Sequence, residues 1–318
     1  RDALAAQGQW RSTMTRVAAN LIGGAAILGL SIISLLPESL LLLVARGWGR
    51  IGPLLQPARA RIGRANLARV YTYRDGVTPT DSALGAHVRA LFEHHLRFYI
   101  ETARAPRHAR SIVATRVDLE DETFVKAAFA GSPRRAAIFL AAHFGAVELP
   151  GSILADRSGQ RPLAPMEEIG NPVLQRWMLQ VRGDGLGLRI IPPHGASAAL
   201  AAELAAGGIV GMVGDRLVAG AGSGVPVRLF GANVRLPVGP ALLAVESGAR
   251  LFVAAVPREE NGRYTGYLRE VHIPTEGDRM ARTRAALHGV ASAFEELISK
   301  APDQWWTLFY PIWEDRPA

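Results

Sequence analysis

From Ala136 onward the chain alternates short apolar runs with segments of helical character, and nothing else in it constrains the fold so tightly. The run Ala136-Ala137-Ile138-Phe139-Leu140-Ala141-Ala142 suits one buried strand and stops at His143-Phe144-Gly145, after which Ala146 to Ala155 reads as helix. Arg161 to Pro165, Leu188 to Ile191, Ile209 to Val213, Val225 to Phe230, Leu251 to Val256 and Arg263 to Ile273 read as further strands. Helices fall between and after them. One opens at Asn171-Pro172, a capping residue followed by proline at the first helical position, and runs to about Val181. Others are expected at Ser197 to Ala206, Val238 to Ser247 and Arg279 to Ser299. Strands spaced by helices of this length predict an α/β fold, with a mixed, largely parallel central sheet covered by helices on both faces. Upstream, Ala83 to Ala103 has the pattern of an amphipathic helix, and Asp118 to Ala130 reads as another, separated from the first strand by Gly131-Ser132-Pro133.

Open α/β sheets hold their ligands at the C-terminal ends of strands, and His143 sits at such an end. Glu148 is expected in the first turn of the following helix, close enough to hold one imidazole nitrogen as N–H and leave the other free as a base. Spacing alone leaves a plainer reading open, a loop histidine followed by a glutamate that suits the positive end of a helix. Asp215 and Arg216 end another strand, and Arg182 follows an apolar helix that starts at the same edge; each is ordinary alone, and together they make a candidate site. Gly220-Ala221-Gly222-Ser223-Gly224 lacks the spacing of a phosphate-cradling loop and reads as a turn. Proline and glycine punctuation accounts for Gly239-Pro240-Ala241 ahead of a helix carrying Glu246. His94 and His95, side by side on a helix, cannot both face one ligand. No metal-binding spacing occurs, so no metal is expected. Trp305 reads as core, with Trp306 and Trp313 divided between core and a bilayer interface.

The chain has no cysteine, which excludes disulfides, thiolate catalysis and cysteine-based zinc sites, and it has no G-x-S-x-G serine elbow. Direct transfer assisted by a general base is the simpler chemistry. The formal charge is +8, and its placement matters more than its size. Between Glu38 and Asp75 there is no acid, while Arg46, Arg50, Arg59, Arg61, Arg64, Arg69 and Arg74 all fall there. Such a band suits anionic lipid headgroups or nucleic acid. The uncharged apolar run from Val17 to Leu36 that precedes it decides for the membrane and against nucleic acid. It is long enough for a spanning helix, and an interfacial helix or a docked apolar hairpin remain alternatives. The expected organisation is a membrane-attachment segment at 1–50 and a catalytic domain at 51–318.

Three stretches then carry a likeness. The strand followed by His143-Phe-Gly-Ala-Val-Glu148, the segment Arg182-Gly-Asp-Gly-Leu-Gly, and Gly214-Asp215-Arg216 with the later Leu236-Pro-Val-Gly-Pro-Ala241 resemble the bacterial lauroyl/myristoyl acyltransferase family. That family includes the late acyltransferases of lipid A biosynthesis and the phosphatidylinositol mannoside acyltransferases. The resemblance implies a glycerolipid acyltransferase-like fold and an enzyme of the cytoplasmic membrane, with its catalytic domain on the cytoplasmic face. Its reaction would move an acyl chain from acyl-CoA or acyl carrier protein to a glycolipid hydroxyl, without a cofactor or a covalent intermediate. In the implied H-x4-D/E pattern His143 is the base and Glu148 orients it. Arg182 and Arg216 would bind substrate phosphates or steady the oxyanion, with Asp215 positioning them. The competing reading from another class is a catalytically inactive protein that binds lipid at the membrane surface.

Overall fold

A computed structural model describes residues 20–129, 135–217 and 224–315. Four helices come first: α1 (Asn20–Leu35), α2 (Glu38–Leu55), α3 (Pro57–Asp75) and α4 (Asp81–Arg116). The alternating part follows as β1 (Val117–Leu119), α5 (Glu122–Phe129), β2 (Ala137–Gly145), α6 (Leu149–Ser158), β3 (Leu163–Pro165), α7 (Pro172–Gln180), β4 (Arg189–Ile191), α8 (Ala196–Ala205) and β5 (Ile209–Val213). A hairpin, β6 (Gly224–Leu229) and β7 (Ala232–Pro237), precedes α9 (Gly239–Ser247), β8 (Arg250–Val256), β9 (Tyr264–Val271) and α10 (Arg279–Ser299). The central sheet has the order β1-β9-β8-β2-β5-β3-β4. Only the β8–β9 pairing within it is antiparallel, so the sheet is mixed and largely parallel, as the alternation predicts.

The apolar character of β2 follows from its place. It lies between β8 and β5 with helices on both faces, and Ile138, Phe139 and Leu140 are each no more than 2% exposed. Three local readings change. Val117–Leu119 pairs in parallel with β9, so the expected helix from Asp118 starts only at Glu122. The hairpin β6–β7 forms a separate two-stranded sheet, whose second strand the punctuation at Pro237, Gly239 and Pro240 concealed. Helix α4 runs well beyond Ala103, carrying Pro106 inside it.

The N-terminal region differs most from expectation. Among the described residues no single helix is long and apolar enough to cross a membrane; α1 and α2 are a pair bent by 119°. Pro37 divides the apolar run at that bend, since its ring cannot continue a helix from α1. Arginines of α4 hold the elbow: Arg104 donates to the Leu36 carbonyl at 2.7 Å, and Arg116 forks onto both oxygens of Glu38 at 2.9 Å. The expected boundary at residue 50 falls inside α2, which lies closely along α4. A Cβ on Gly49 would stand 2.7 Å from the Arg89 carbonyl oxygen, so only glycine permits that approach. Much of the arginine band lies on α3, where Arg64 and Arg69 pair with Asp81 and Asp315 and help to tie the helix down, while Arg74 pairs with its neighbour Asp75 on the same helix.

Candidate active site

The centre of the site is an irregularity in β2. Ala141 faces Ala254 of β8, yet Gly145 faces Val256, so four steps on one strand match two on the other. The surplus residues bulge, and His143 is among them. Bulges re-aim side chains in this way beside functional sites. Gly145 closes the bulge at φ 64, where a Cβ would stand 2.3 Å from the Val256 carbonyl oxygen, and that same oxygen accepts from Ala146 N at 2.9 Å. His143 therefore lies within the distorted end of β2, not in a loop beyond it.

The carboxylate on the imidazole is Asp215. His143 Nδ1 lies 2.7 Å from Asp215 Oδ1, while Oδ2 accepts from the His143 backbone N–H, the Trp305 indole N–H and the Thr307 hydroxyl at 3.1, 2.7 and 2.7 Å. Asp215 is 2% exposed. Burial alone would raise its pKa, but the imidazole and the donated hydrogen bonds outweigh that effect and hold it down to about 2. An ionised carboxylate only accepts, so Nδ1 carries the proton and the neutral ring keeps Nε2 as its free base. The side chain of His143 remains partly open, 16% exposed, with its ring centroid 4.3 Å from that of Trp306.

Glu148 takes a different partner from the one expected. It does not start a helical turn, because α6 begins at Leu149, and it occupies the position just before it. Its oxygens face Arg182, which donates from Nη2 at 2.8 Å and from Nε at 3.2 Å to each oxygen. Arg182 stands in a π-helical turn, Val181–Gly185, that continues α7 and swings the side chain towards β2. Its guanidinium would be lowered by burial, yet facing Glu148 it is raised. The structure thus pairs His143 with Asp215 and Glu148 with Arg182, correcting the expected His143–Glu148 pair; nor does Asp215 position the arginines. Arg216 leans over Tyr310 at 5.2 Å and Trp306 at 5.9 Å, with Glu167 4.0 Å away. Most of the loop Gly220 to Gly224 lies outside the described residues.

Sequence reasoning missed the C-terminal turn. Trp305, read as core, is fully buried but also a donor to Asp215; Thr307 is a second donor from the same turn, and Trp306 between them packs on His143. Separations of 90 and 92 residues from Asp215 left no signal by which to find them, apart from the concentration of aromatic residues. Trp313 is also core, donating its indole N–H to the Leu229 carbonyl. His95 is buried against Tyr99, Phe309 and Trp306, which lowers its pKa to about 4 by desolvation first, with Arg59 adding to it.

The bacterial lipid A biosynthesis acyltransferase model matches residues 6–314, and the chain belongs to that family. It is 28% identical over 255 residues to the phosphatidylinositol mannoside acyltransferase of Mycolicibacterium smegmatis, covering 79% of this chain and 78% of the relative. The phosphatidylinositol mannoside acyltransferase of Mycobacterium tuberculosis (strain H37Rv) is 29% identical over 257 residues, covering 79% of this chain and 76% of that protein.

Proposed function

We propose that this acyltransferase transfers a fatty acyl group from a thioester, acyl-CoA or acyl carrier protein, to a hydroxyl of a glycolipid of the phosphatidylinositol mannoside type. The observation that carries the reading is the imidazole fixed by a buried, ionised Asp215, with Nε2 directed away from its anchor. His143 takes the proton from the acceptor hydroxyl as the oxygen attacks the thioester carbonyl carbon. The carbonyl oxygen becomes negative, the tetrahedral intermediate collapses, and the C–S bond breaks. The proton held on Nε2 goes to the departing sulfur, so no covalent enzyme intermediate is needed. Asp215 holds the tautomer and offsets the charge of the imidazolium. Arg182, aimed by Glu148, and Arg216 offer cationic donors for the oxyanion or for substrate phosphate. The two mycobacterial relatives favour a mannosylated inositol phospholipid as acceptor over a lipid A precursor.

Membrane attachment at the cytoplasmic face belongs to the same proposal. Leu21, Ile22, Leu28 and Leu35 of α1 and Leu43, Leu54 and Leu55 of α2 are between 60% and 79% exposed. Arg46 and Arg50 lie among them on α2. An apolar helix pair edged with arginine suits insertion into the headgroup region of an anionic bilayer.

The test incubates the purified full chain with palmitoyl-CoA, or with palmitoyl acyl carrier protein, and a mannosylated inositol phospholipid. Mass spectrometry should find the acceptor heavier by one acyl chain, with free carrier released in equal amount. An unchanged acceptor with both donors, in the presence of vesicles, would overturn the reading.

A further inference from the structure

Aromatic rings gather beside His143, and the outermost of them are open to solvent. Trp306, with its ring centroid 4.3 Å from that of His143, is flanked by Tyr310 at 6.3 Å and, through Phe98, by Tyr99 of α4. Tyr310 and Tyr99 are 38% and 50% exposed. Burial raises the pKa of Tyr99, Arg59 lowers it and Tyr310 raises it again, so the two phenols lie within electrostatic reach of each other. Asn66 Nδ2 donates to the carbonyls of Leu308 and Tyr310 at 2.8 and 2.9 Å, which holds the backbone under Tyr310 while its ring stays open. Packing accounts for the buried rings of this cluster, Trp305 and Phe309, but not for the exposed ones.

Arg216 lies at the same rim, over Tyr310 at 5.2 Å and Trp306 at 5.9 Å. Glu167 stands 4.0 Å from its Nη2, beyond hydrogen-bonding distance, and its charge also acts on Arg182. A group that only donates is thus set beside one that only accepts. A hydroxyl does both, and two hydroxyls on adjacent carbons can take one residue each. A phosphate is disfavoured because Glu167 repels it. The bilayer is disfavoured by the same carboxylate, which anionic headgroups repel and hydrocarbon does not solvate. The C–H bonds on one face of a sugar ring are weakly positive and match the negative face of an aromatic ring.

We propose that Tyr310, with Trp306, Arg216 and Glu167, forms the subsite for the sugar ring that carries the acceptor hydroxyl. The C–H face of a hexopyranose stacks on Tyr310, one hydroxyl accepts from Arg216, and its neighbour donates to Glu167. Trp306 joins this subsite to His143. Arg216 then serves hydroxyls in preference to phosphate, and Tyr310 selects a ring over an open-chain polyol. The inference rests on the acyl-transfer reading only in naming the bound sugar as the acyl acceptor.

The full chain in a sugar-free neutral detergent, with no acyl donor or lipid, is titrated with methyl α-mannopyranoside, mannitol and glycerol 3-phosphate. Saturation-transfer NMR with irradiation of the aromatic protons follows the binding. The glycoside should bind with Kd on the order of 1–10 mM, about fivefold or more tighter than either other probe, with most saturation on the protons of one ring face. Tyr310→Ala should weaken its binding about fivefold and Tyr310→Phe by less than about twofold, both variants melting with the parent. Glu167→Gln should weaken the glycoside and strengthen the phosphate. Equal binding of glycoside and mannitol, a phosphate that binds more tightly than the glycoside, or an unaltered glycoside affinity in Tyr310→Ala would each overturn the proposal. In the acyl-transfer assay Tyr310→Ala should raise the acceptor KM about fivefold and leave kcat within about twofold. Sugar binding by a chain that transfers no acyl group would uphold the subsite and overturn the transfer reading; transfer with an unchanged KM in Tyr310→Ala would do the reverse.

Discussion

Two buried acids flank the end of β2, and they do opposite things. Asp215, beyond the end of β5, gathers an imidazole and three further donors and holds the histidine in one tautomer. Glu148, five residues from His143 in the chain, gives both its oxygens to Arg182. The nearer acid in sequence is the farther one in chemistry. Gly145 turns the chain against Val256 before Glu148 is reached and carries the glutamate away from the imidazole, whereas parallel pairing of β2 with β5 brings the residues after Val213 alongside His143. A carboxylate that holds an imidazole and one that anchors a guanidinium should fail differently when altered.

The largest effect is expected at His143, the proposed base. His143→Ala should lower kcat by about 10³-fold or more while leaving the melting temperature close to that of the parent. Turnover within a few-fold of the parent would remove His143 from the role given to it. Asp215→Asn comes next, with a loss on the order of 10²-fold to 10³-fold, because an amide can donate to Nδ1 and stabilise the wrong tautomer. Should Glu148→Gln cost more turnover than Asp215→Asn, the assignment of the two acids would be reversed. In the proposed arrangement Glu148→Gln lowers kcat only about tenfold, and its larger cost is to stability, because a largely buried guanidinium loses its carboxylate. Thr307→Val, which removes one of the four donors to Asp215, should destabilise the fold by about 1 kcal/mol and reduce turnover by a few-fold at most.

Acid stability sharpens the contrast between the acid and the nearby His95. The depressed pKa of Asp215 stabilises the fold above its ordinary value of 3.8, and that contribution is lost as pH falls towards about 2. His95 acts in a higher window. Its folded value of about 4 lies below the ordinary 6.5, so the unfolded chain binds the proton more readily, and stability declines as pH falls from 6.5 towards 4. The full effect is up to about 3 kcal/mol. Replacing His95 with Gln should flatten that part of a pH–stability curve measured by denaturant unfolding. A curve of unchanged slope would show that His95 is not the group responsible.

The sequence alone determined the alternating architecture, because a strand buried on both faces must be apolar throughout and a parallel connection needs room for a helix. The boundaries of β5 and α10 agree with that reading to the residue. It also determined the candidates, since His143, Glu148, Arg182, Asp215 and Arg216 are polar residues that interrupt apolar patterns at the ends of elements. Only the tertiary structure decided how they pair. A residue's type limits what it can bond, but the partner depends on strand order, on the bulge that turns His143 and on a C-terminal turn that supplies Trp305 and Thr307. The apolar N-terminus follows the same rule: its composition raised the expectation of lipid attachment, while Pro37 and the arginines of α4 made it a bent pair instead of one straight helix. Periodicity is a local property and is written along the chain; a hydrogen bond between residues far apart in it exists only once the sheet has brought their strands together.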